Sequence, residues 1–344
     1  MEIRGAEHVE IVIIDENWID MLLPDRQPEK LASADADERD DFCRVERYGL
    51  IEHFNPQRSP PQAENGISLL VKVTTNGRMH TVIFDAGLTG QVIKHNLSVL
   101  NLDAEAIDYV VISHGHPDHY GGVFELLQLR RTPVPISTHP DAFLARYAIM
   151  PDGRVASFYN AAFSADELTH RGGRVVMSRD PIYIAPGLFT TGEIPREVDF
   201  EGPRTGTTPP TPGLYQISSD GRMRTDEVWD EQGLVVRLLN GGLIVLTGCA
   251  HAGVLNTIRR AKEVGGDGPI IGVMGGFHLG FPTTPPENIR KTLEGFRDLQ
   301  VRTVVPMHCS GLAAHRLFST EMRAAYVQPA VGSRLHFGKR GASE

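Results

Sequence analysis

A chain of 344 residues, 41% hydrophobic and 22% charged, has the composition of a soluble globular protein, long enough for one large domain or two small ones. Its 34 Lys and Arg against 43 Asp and Glu leave a formal net charge of −9, which argues against nucleic acid or an anionic membrane surface as the main partner. The cysteines Cys43, Cys249 and Cys309 are too few for a disulfide framework; with no secretory signal or apolar run of membrane-spanning length, they point to the cytoplasm.

The first strand is read at residues 9–14, VEIVII. Polar, acidic and proline-rich sequence follows, including LASADADERDD and NPQRSPPQ, and predicts an inserted flap over about 17–64 that covers a site or mediates dimer contacts. SLLVKVTTNGRMHTVIFDAG predicts a hairpin turning at Asn76-Gly77, with its second arm ending at Asp85. A helix over about 89–100 leads to the short strand YVVIS, which ends at Ser113 directly before SHGHPDHYGG. Strand and helix signals then alternate through PVPIST, DAFLARYAIM, RVVMS and PIYIA. The Gly-, Pro- and Thr-rich stretch over about 196–230 predicts a lid loop.

A second hairpin, GLVVRLLNGGLIVLTG, turns at Asn240-Gly241 and delivers Cys249. The helix after it, about 253–264, spaces Val254, Leu255, Ile258, Ala261 and Val264 along one face. Strand PIIGVMGG, a helix near 286–299 with Ile289, Leu293 and Phe296 inward, strand RTVVPMH and a helix from about Gly311 complete the chain. Two hairpins, each followed by helix and strand, predict a duplicated β/α layout within one domain spanning 1–344.

SHGHPDHYGG is the most specific string. His114, His116, Asp118 and His119 cannot all share one strand face, but a loop leaving a strand can fold them around a metal; Gly121-Gly122 are expected to let the backbone turn tightly into the next helix. Imidazole nitrogen and carboxylate oxygen suit zinc, iron or manganese better than calcium. The alternative is a polar loop whose histidines bond to backbone. LTGCAHAG raises a similar choice. Cys249 is read as a metal-bound thiolate or a small buried residue, with a nucleophile as a third reading, and His251 as a metal ligand or a helix cap. His278, after paired glycines at a strand end, is read as a substrate-binding group, an acid or base, or a structural residue. Cys309, beside His308, is expected to point to the opposite face and into the core if its strand continues.

HGHPDH matches the H-x-H-x-D-H signature, and on it the chain resembles the metallo-β-lactamase superfamily. VIFDAG is similar to the family's strand ending in Asp, LIVLTGCAH to its strand ending T-G-D, and VVPMHCSG to the strand carrying its last metal histidine, so that the resemblance spans about residues 66–312. ENGISLL, GCAHAGVLNTI, GGFHL and MHCSG resemble the branch of β-lactamase superfamily II metal-dependent hydrolases similar to dihydropterin-ribofuranosylaminobenzene-phosphate synthase.

The resemblance implies an α/β fold of αβ/βα four-layer sandwich type, two mixed sheets face to face with helices on the outer faces. It implies one or two divalent metal ions, zinc foremost, with manganese or iron as alternatives. His114 and His116 would hold one ion; Asp118, His119 and His308 a second; Asp85 would orient a ligand histidine. Two positions depart from the family pattern. Cys249 stands where the family has the Asp of T-G-D, and GLFTTGEIP lacks the family's intermediate histidine. His139 and His170 lie between the motifs, but His251 is the better placed replacement.

The main functional expectation is a hydrolase in which a metal lowers the pKa of bound water toward about 7 for attack on an ester, lactone or phosphoester. Asp118 would hold the water, and His251 or His278 would protonate the leaving group. The alternative is a pterin-type synthase displacing phosphate or pyrophosphate, with a larger pocket roofed by 196–230 and Arg196 or Arg204 meeting anionic oxygens. A third reading is a metal-binding sensor without turnover. The expected partner is a small-molecule substrate, anionic under the second reading, with no nucleic acid or membrane; a homo-oligomer is compatible with the sequence.

Overall fold

The Val/Ile run at 9–14 forms strand β1 (His8–Asp15) in the computed structural model, which describes residues 4–26, 43–53, 55, 59–158, 160–202, 212–218, 220–282 and 284–338. Within the expected flap, β2 (Arg44–Glu46) is a short strand and α1 (Leu50–His53) a single helical turn; residues 27–42, 54 and 56–58 lie outside the described residues. β3 (Ser68–Thr75) and β4 (Arg78–Phe84) form the first hairpin, with Asn76 and Gly77 both at positive φ, as a two-residue turn requires.

The chain continues through α2 (Gly90–Val99), β5 (Tyr109–Val111), α3 (Pro117–Tyr120), α4 (Val123–Gln128) and β6 (Val134–Thr138). DAFLARYAIM is not one element: it supplies a 3-10 turn (Pro140–Phe143) and β7 (Arg146–Ile149). β8 (Val155–Ser157), α5 (Ala165–His170), β9 (Gly173–Met177), β10 (Tyr183–Ala185) and β11 (Leu188–Thr190) follow. The expected lid is only partly loop, because it contains β12 (Gly213–Ile217) and β13 (Met223–Thr225). The second hairpin joins β14 (Leu234–Arg237) to β15 (Leu243–Thr247) through a longer connection in which Gly241 has a φ of 87°. Then come α6 (Val254–Gly265), β16 (Ile270–Gly276), α7 (Pro286–Asp298), β17 (Val304–Met307), α8 (Gly311–Glu321) and β18 (Arg334–Gly338).

Two mixed sheets carry the duplicated layout. One runs β2-β18-β1-β3-β4-β5-β6-β9, antiparallel as far as β4 and parallel beyond it; the other runs β10-β11-β14-β15-β16-β17, antiparallel as far as β15 and parallel beyond it. Strand alternation then sorts the apolar residues into layers. Val9, Ile11, Val71 and Phe84 meet Val236, Ile244, Met274 and Met307 between the sheets. Val12, Ile14 and Ile83 turn outward against Ile93, Leu97 and Leu126, while Val235, Val245 and Val273 turn outward against Ile258, Leu293, Phe296 and Phe318. The result is the αβ/βα sandwich. A separate four-stranded antiparallel sheet, β13-β12-β7-β8, stands beside it. Among the described residues no helix is long and apolar enough to cross a membrane.

Candidate metal centre

β5 hands the chain to His114, and α3 begins immediately after His116, so Asp118 and His119 project from its short first turn. Gly121 and Gly122 do not make a tight turn, as the sequence suggested; both have right-handed helical φ (−56° and −80°). They are glycine for lack of room. A Cβ on Gly121 would lie 1.9 Å from the Leu88 carbonyl oxygen, and one on Gly122 2.1 Å from that of Ala86. The α3 turn is thereby pressed onto the loop that follows Asp85.

From the other sheet, Cys249 and His251 follow β15 and His308 follows β17. The backbone is forced at these strand ends: Asp85, Ala250, His278 and His308 all have positive φ (59°, 58°, 53° and 47°), a conformation that costs non-glycine residues energy and that clusters at functional sites. For Cys309 this corrects the sequence reading. The strand does not continue; His308–Ser310 is a 3-10 turn, and the Cys309 thiol comes back to donate to the Cys249 carbonyl oxygen at 3.4 Å.

Three sets of ligand atoms converge, each within 4.8 Å: His114, His116 and His251; Asp118, His119 and His308; and His114, His119 and Cys249. His114 Nε2 lies 3.0 Å from His116 Nδ1, His119 Nε2 lies 3.2 Å from Cys249 Sγ, and His308 Nε2 lies 3.2 Å from Asp118 Oδ2. His114 and His119 are fully buried, and His251 Nε2 and His308 Nδ1 are buried without a hydrogen-bond partner. Buried imidazole nitrogens facing one another, with orphaned polar atoms beside them, are a poor arrangement for a bare protein and a fitting donor set for divalent metal. Burial, reinforced by neighbouring histidines, pushes the His114 and His251 pKa well below the usual value, which leaves the neutral form that binds metal.

The carboxylates behind these groups are equally ordered. Asp85 accepts from His119 Nδ1 at 2.7 Å, and from the Ser113 amide and hydroxyl, each at 2.7 Å. Burial disfavours a charge on His119, but Asp85 and Asp118 outweigh it and raise its pKa. His308 is likewise raised, to about 9, because a hydrogen bond to Asp118 overcomes burial.

Several supporting residues carry no motif and were not found from sequence. Asp226 Oδ2 lies 3.6 Å from His116 Nε2 and accepts from buried Arg146 at 2.8 Å; Arg146 also donates to Asp230, which accepts from the Gly115 amide. Despite burial, His116 and Arg146 hold Asp226 at about 2. Glu231 accepts from the amides of His251 and Ala252, each at 2.7 Å, and Glu16 accepts from the His308 amide at 2.9 Å. For Asp226, Asp230 and Glu231 the one sequence signal is an acidic run, TDEVWDEQ, placed just before a hairpin.

The other candidates go elsewhere. His139 caps the 3-10 turn through the Asp141 amide and meets Glu193, which occupies the motif where the family's histidine was missing; His170 is exposed at the end of α5. Arg196 stacks 4.0 Å over Trp229 and bonds to the Glu227 carbonyl instead of reaching the metal cluster. Arg204 lies outside the described residues. His278 packs 4.3 Å from His251, ring centre to ring centre, and both line a cavity of about 750 Å³. Its walls include residues 199–202, 212–214, 277–279 and 281, and Asn288 and Thr292 of α7.

The family model of the metallo-beta-lactamase superfamily matches residues 67–222. The chain is 33% identical over 297 residues to the 7,8-dihydropterin-6-methyl-4-(beta-D-ribofuranosyl)-aminobenzene-5'-phosphate synthase of Methanocaldococcus jannaschii, covering 86% of this chain and 95% of that protein. An uncharacterized protein of the same organism is 28% identical over 252 residues, 73% of this chain and 86% of its own length. A solved structure, described as a metal-dependent hydrolase of the beta-lactamase superfamily, superposes with a TM-score of 0.65 at 25% identity, over 95% of this chain and 98% of that one. Signature, sandwich and relatives agree that this chain belongs to the metallo-β-lactamase superfamily.

Proposed function

We propose that the chain is a metal-dependent synthase of pterin type, joining an aromatic acceptor to a dihydropterin methylene carbon with loss of phosphate or pyrophosphate. The observation that carries this reading is the cavity of about 750 Å³ beside His251 and His278, a volume suited to a two-ring substrate together with an acceptor. The 33% identical synthase, matched over 95% of its length, supports the same chemistry.

In this reading His114, His116 and His251 hold one divalent ion, zinc foremost, and Asp118, His119, His308 and Cys249 a second. Bound there, the ions supply positive charge to the oxygens of the leaving group. Asp85 fixes the tautomer and direction of His119, Asp226 places a carboxylate 3.6 Å behind His116 Nε2, and Glu231 holds the His251 loop by its amides. Phe277, Phe281 and Leu279 supply the apolar cavity surface against which aromatic rings can stack.

Hydrolysis by a metal-activated water is the second reading, favoured by Asp118, which keeps 27% of its side chain exposed and so can hold a water. One experiment separates the two. The metal-loaded chain is incubated with a dihydropterin carrying a 6-methylene diphosphate, with and without an aminobenzene ribofuranosyl phosphate, and products are read by mass spectrometry. A coupled product supports the synthase; free hydroxymethyl-dihydropterin regardless of acceptor replaces it with hydrolysis; no product in either case sinks the proposal.

A further inference from the structure

Three parallel strands end side by side at the metal edge, and each presents one soft ligand type: Cys249 after β15, His278 after β16 and Cys309 after β17. The two sulfur atoms and a ring nitrogen of His278 lie within 4.8 Å of one another. The centre described above needs only Cys249 of these. His278 and Cys309 are left over.

The local backbone is arranged to bring them together. A Cβ on Gly276 would lie 2.7 Å from Cys309 Sγ and 3.1 Å from Cys249 Cα, so the absent side chain is what lets the thiol lie over β16. His278 is turned inward by its positive φ of 53°, and its Nδ1 is buried without a partner. Ser310 Oγ accepts from the Phe277 amide at 3.0 Å, tying the turn that carries Cys309 to the segment that carries His278. Both cysteines are free thiols here, and a disulfide between them would leave the buried Nδ1 of His278 without a partner.

We propose that Cys249, His278 and Cys309 form a third cation site, a thiolate-rich one that takes zinc or another thiophilic divalent ion. Two sulfurs and one imidazole make this set softer than the nitrogen and oxygen sets beside it. Loading releases the two thiol protons to solvent, and three protein ligands leave a tetrahedral ion one position for a cavity water or substrate atom. Of the three residues, His278 is the one that lines the cavity. The site assigns His278 a ligand role in place of the acid–base role expected from sequence. It rests on the proposed metal centre only through the shared Cys249.

The test is metal content and sulfur coordination, neither of which requires turnover. The full chain, reduced, stripped with chelator, reloaded with zinc and desalted, is expected to hold about three ions, and Cys309→Ser and His278→Ala about two each. Cobalt reloading should show thiolate-to-cobalt charge-transfer absorption that falls by about half in Cys309→Ser and is unchanged in Cys43→Ser. Zinc-edge X-ray absorption on the wild-type chain needs no variant and should show sulfur neighbours at about 2.3 Å in excess of those one cysteine can supply. Two ions in the wild-type chain, with Cys309→Ser unchanged in both metal content and cobalt spectrum, overturn the third site and leave the centre standing. A Cys249–Cys309 disulfide in the protein as purified under air overturns the third site as well. No bound ion at all overturns both.

Discussion

His116 is held from two sides, by His114 at Nδ1 and by Asp226 beyond Nε2, and Asp226 is itself clamped by Arg146. A carboxylate behind a ligand imidazole sets its tautomer and raises its basicity, and loss of such a partner costs about 10–100-fold in metal affinity. Asp226→Asn should therefore weaken zinc binding by about that factor in a competition with a chromophoric chelator, and Asp85→Asn should do likewise through His119. Asp199→Asn, an exposed position at the cavity wall, is the control. Unchanged affinity in Asp226→Asn would remove Asp226 from the centre.

Asp15 presents a different case. It is fully buried, and burial together with the nearby Glu64 carboxylate raises it from 3.8 to about 9. Between those values the folded chain keeps a proton that the unfolded chain has given up, so the folded state loses stability as pH rises from about 4 toward 9. Asp15→Asn has nearly the same shape and no proton to keep. Its melting temperature should match the wild type near pH 4 and exceed it increasingly up to pH 8; a constant difference across that range would refute the assignment.

At the scale of elements, what sequence showed and what it hid divide by range. Both hairpins were legible because Asn-Gly turns and alternating apolar residues are local signals, and α6 and α7 because their buried residues recur at helical spacing. The small sheet was not legible. β12 pairs with β7 across more than sixty residues and β13 with β12, and the composition of both reads as loop. Of the candidate site, the H-x-H-x-D-H residues stood out, whereas Asp226, Glu231 and Glu16 act on backbone and ring atoms that only the folded strand ends bring near. Cys309 was misplaced because the reversal at His308 is a matter of one backbone angle.

The glycines test this picture directly. Gly77 has a φ of 70° with nothing within 4 Å of an added Cβ, so Gly77→Ala should cost only the backbone strain, about 1 kcal/mol. Gly121 has an ordinary helical φ, but an added Cβ meets the Leu88 carbonyl oxygen at 1.9 Å. Gly121→Ala must displace the α3 turn and should cost about 2–3 kcal/mol in urea unfolding while also lowering zinc affinity. Equal costs for the two variants, with metal binding intact, would mean that α3 is free to shift.

For the whole molecule, the decisive fact is where the ligands originate. His114, His116, Asp118 and His119 leave the sheet that contains β5; Cys249, His251 and His308 leave the sheet that contains β15 and β17. Each of the two ions of the metal centre therefore takes ligands from both sheets and fastens them at one edge, while the apolar layer between them does so elsewhere. An ion held at about 1,000 times its dissociation constant adds about 4 kcal/mol to the folded state, since the unfolded chain scatters these ligands. Chelation should lower the melting temperature, and zinc should restore it. Its local signature is more telling than its size. Amide hydrogen exchange should speed up in residues 113–122, 248–253 and 307–311 when metal is removed, because those segments lose their common anchor, while the Asn76-Gly77 and Asn240-Gly241 turns at the opposite strand ends stay as they were. Exchange that rises evenly over the chain, or only in one of the two sheets, would show that the ions do not bridge them.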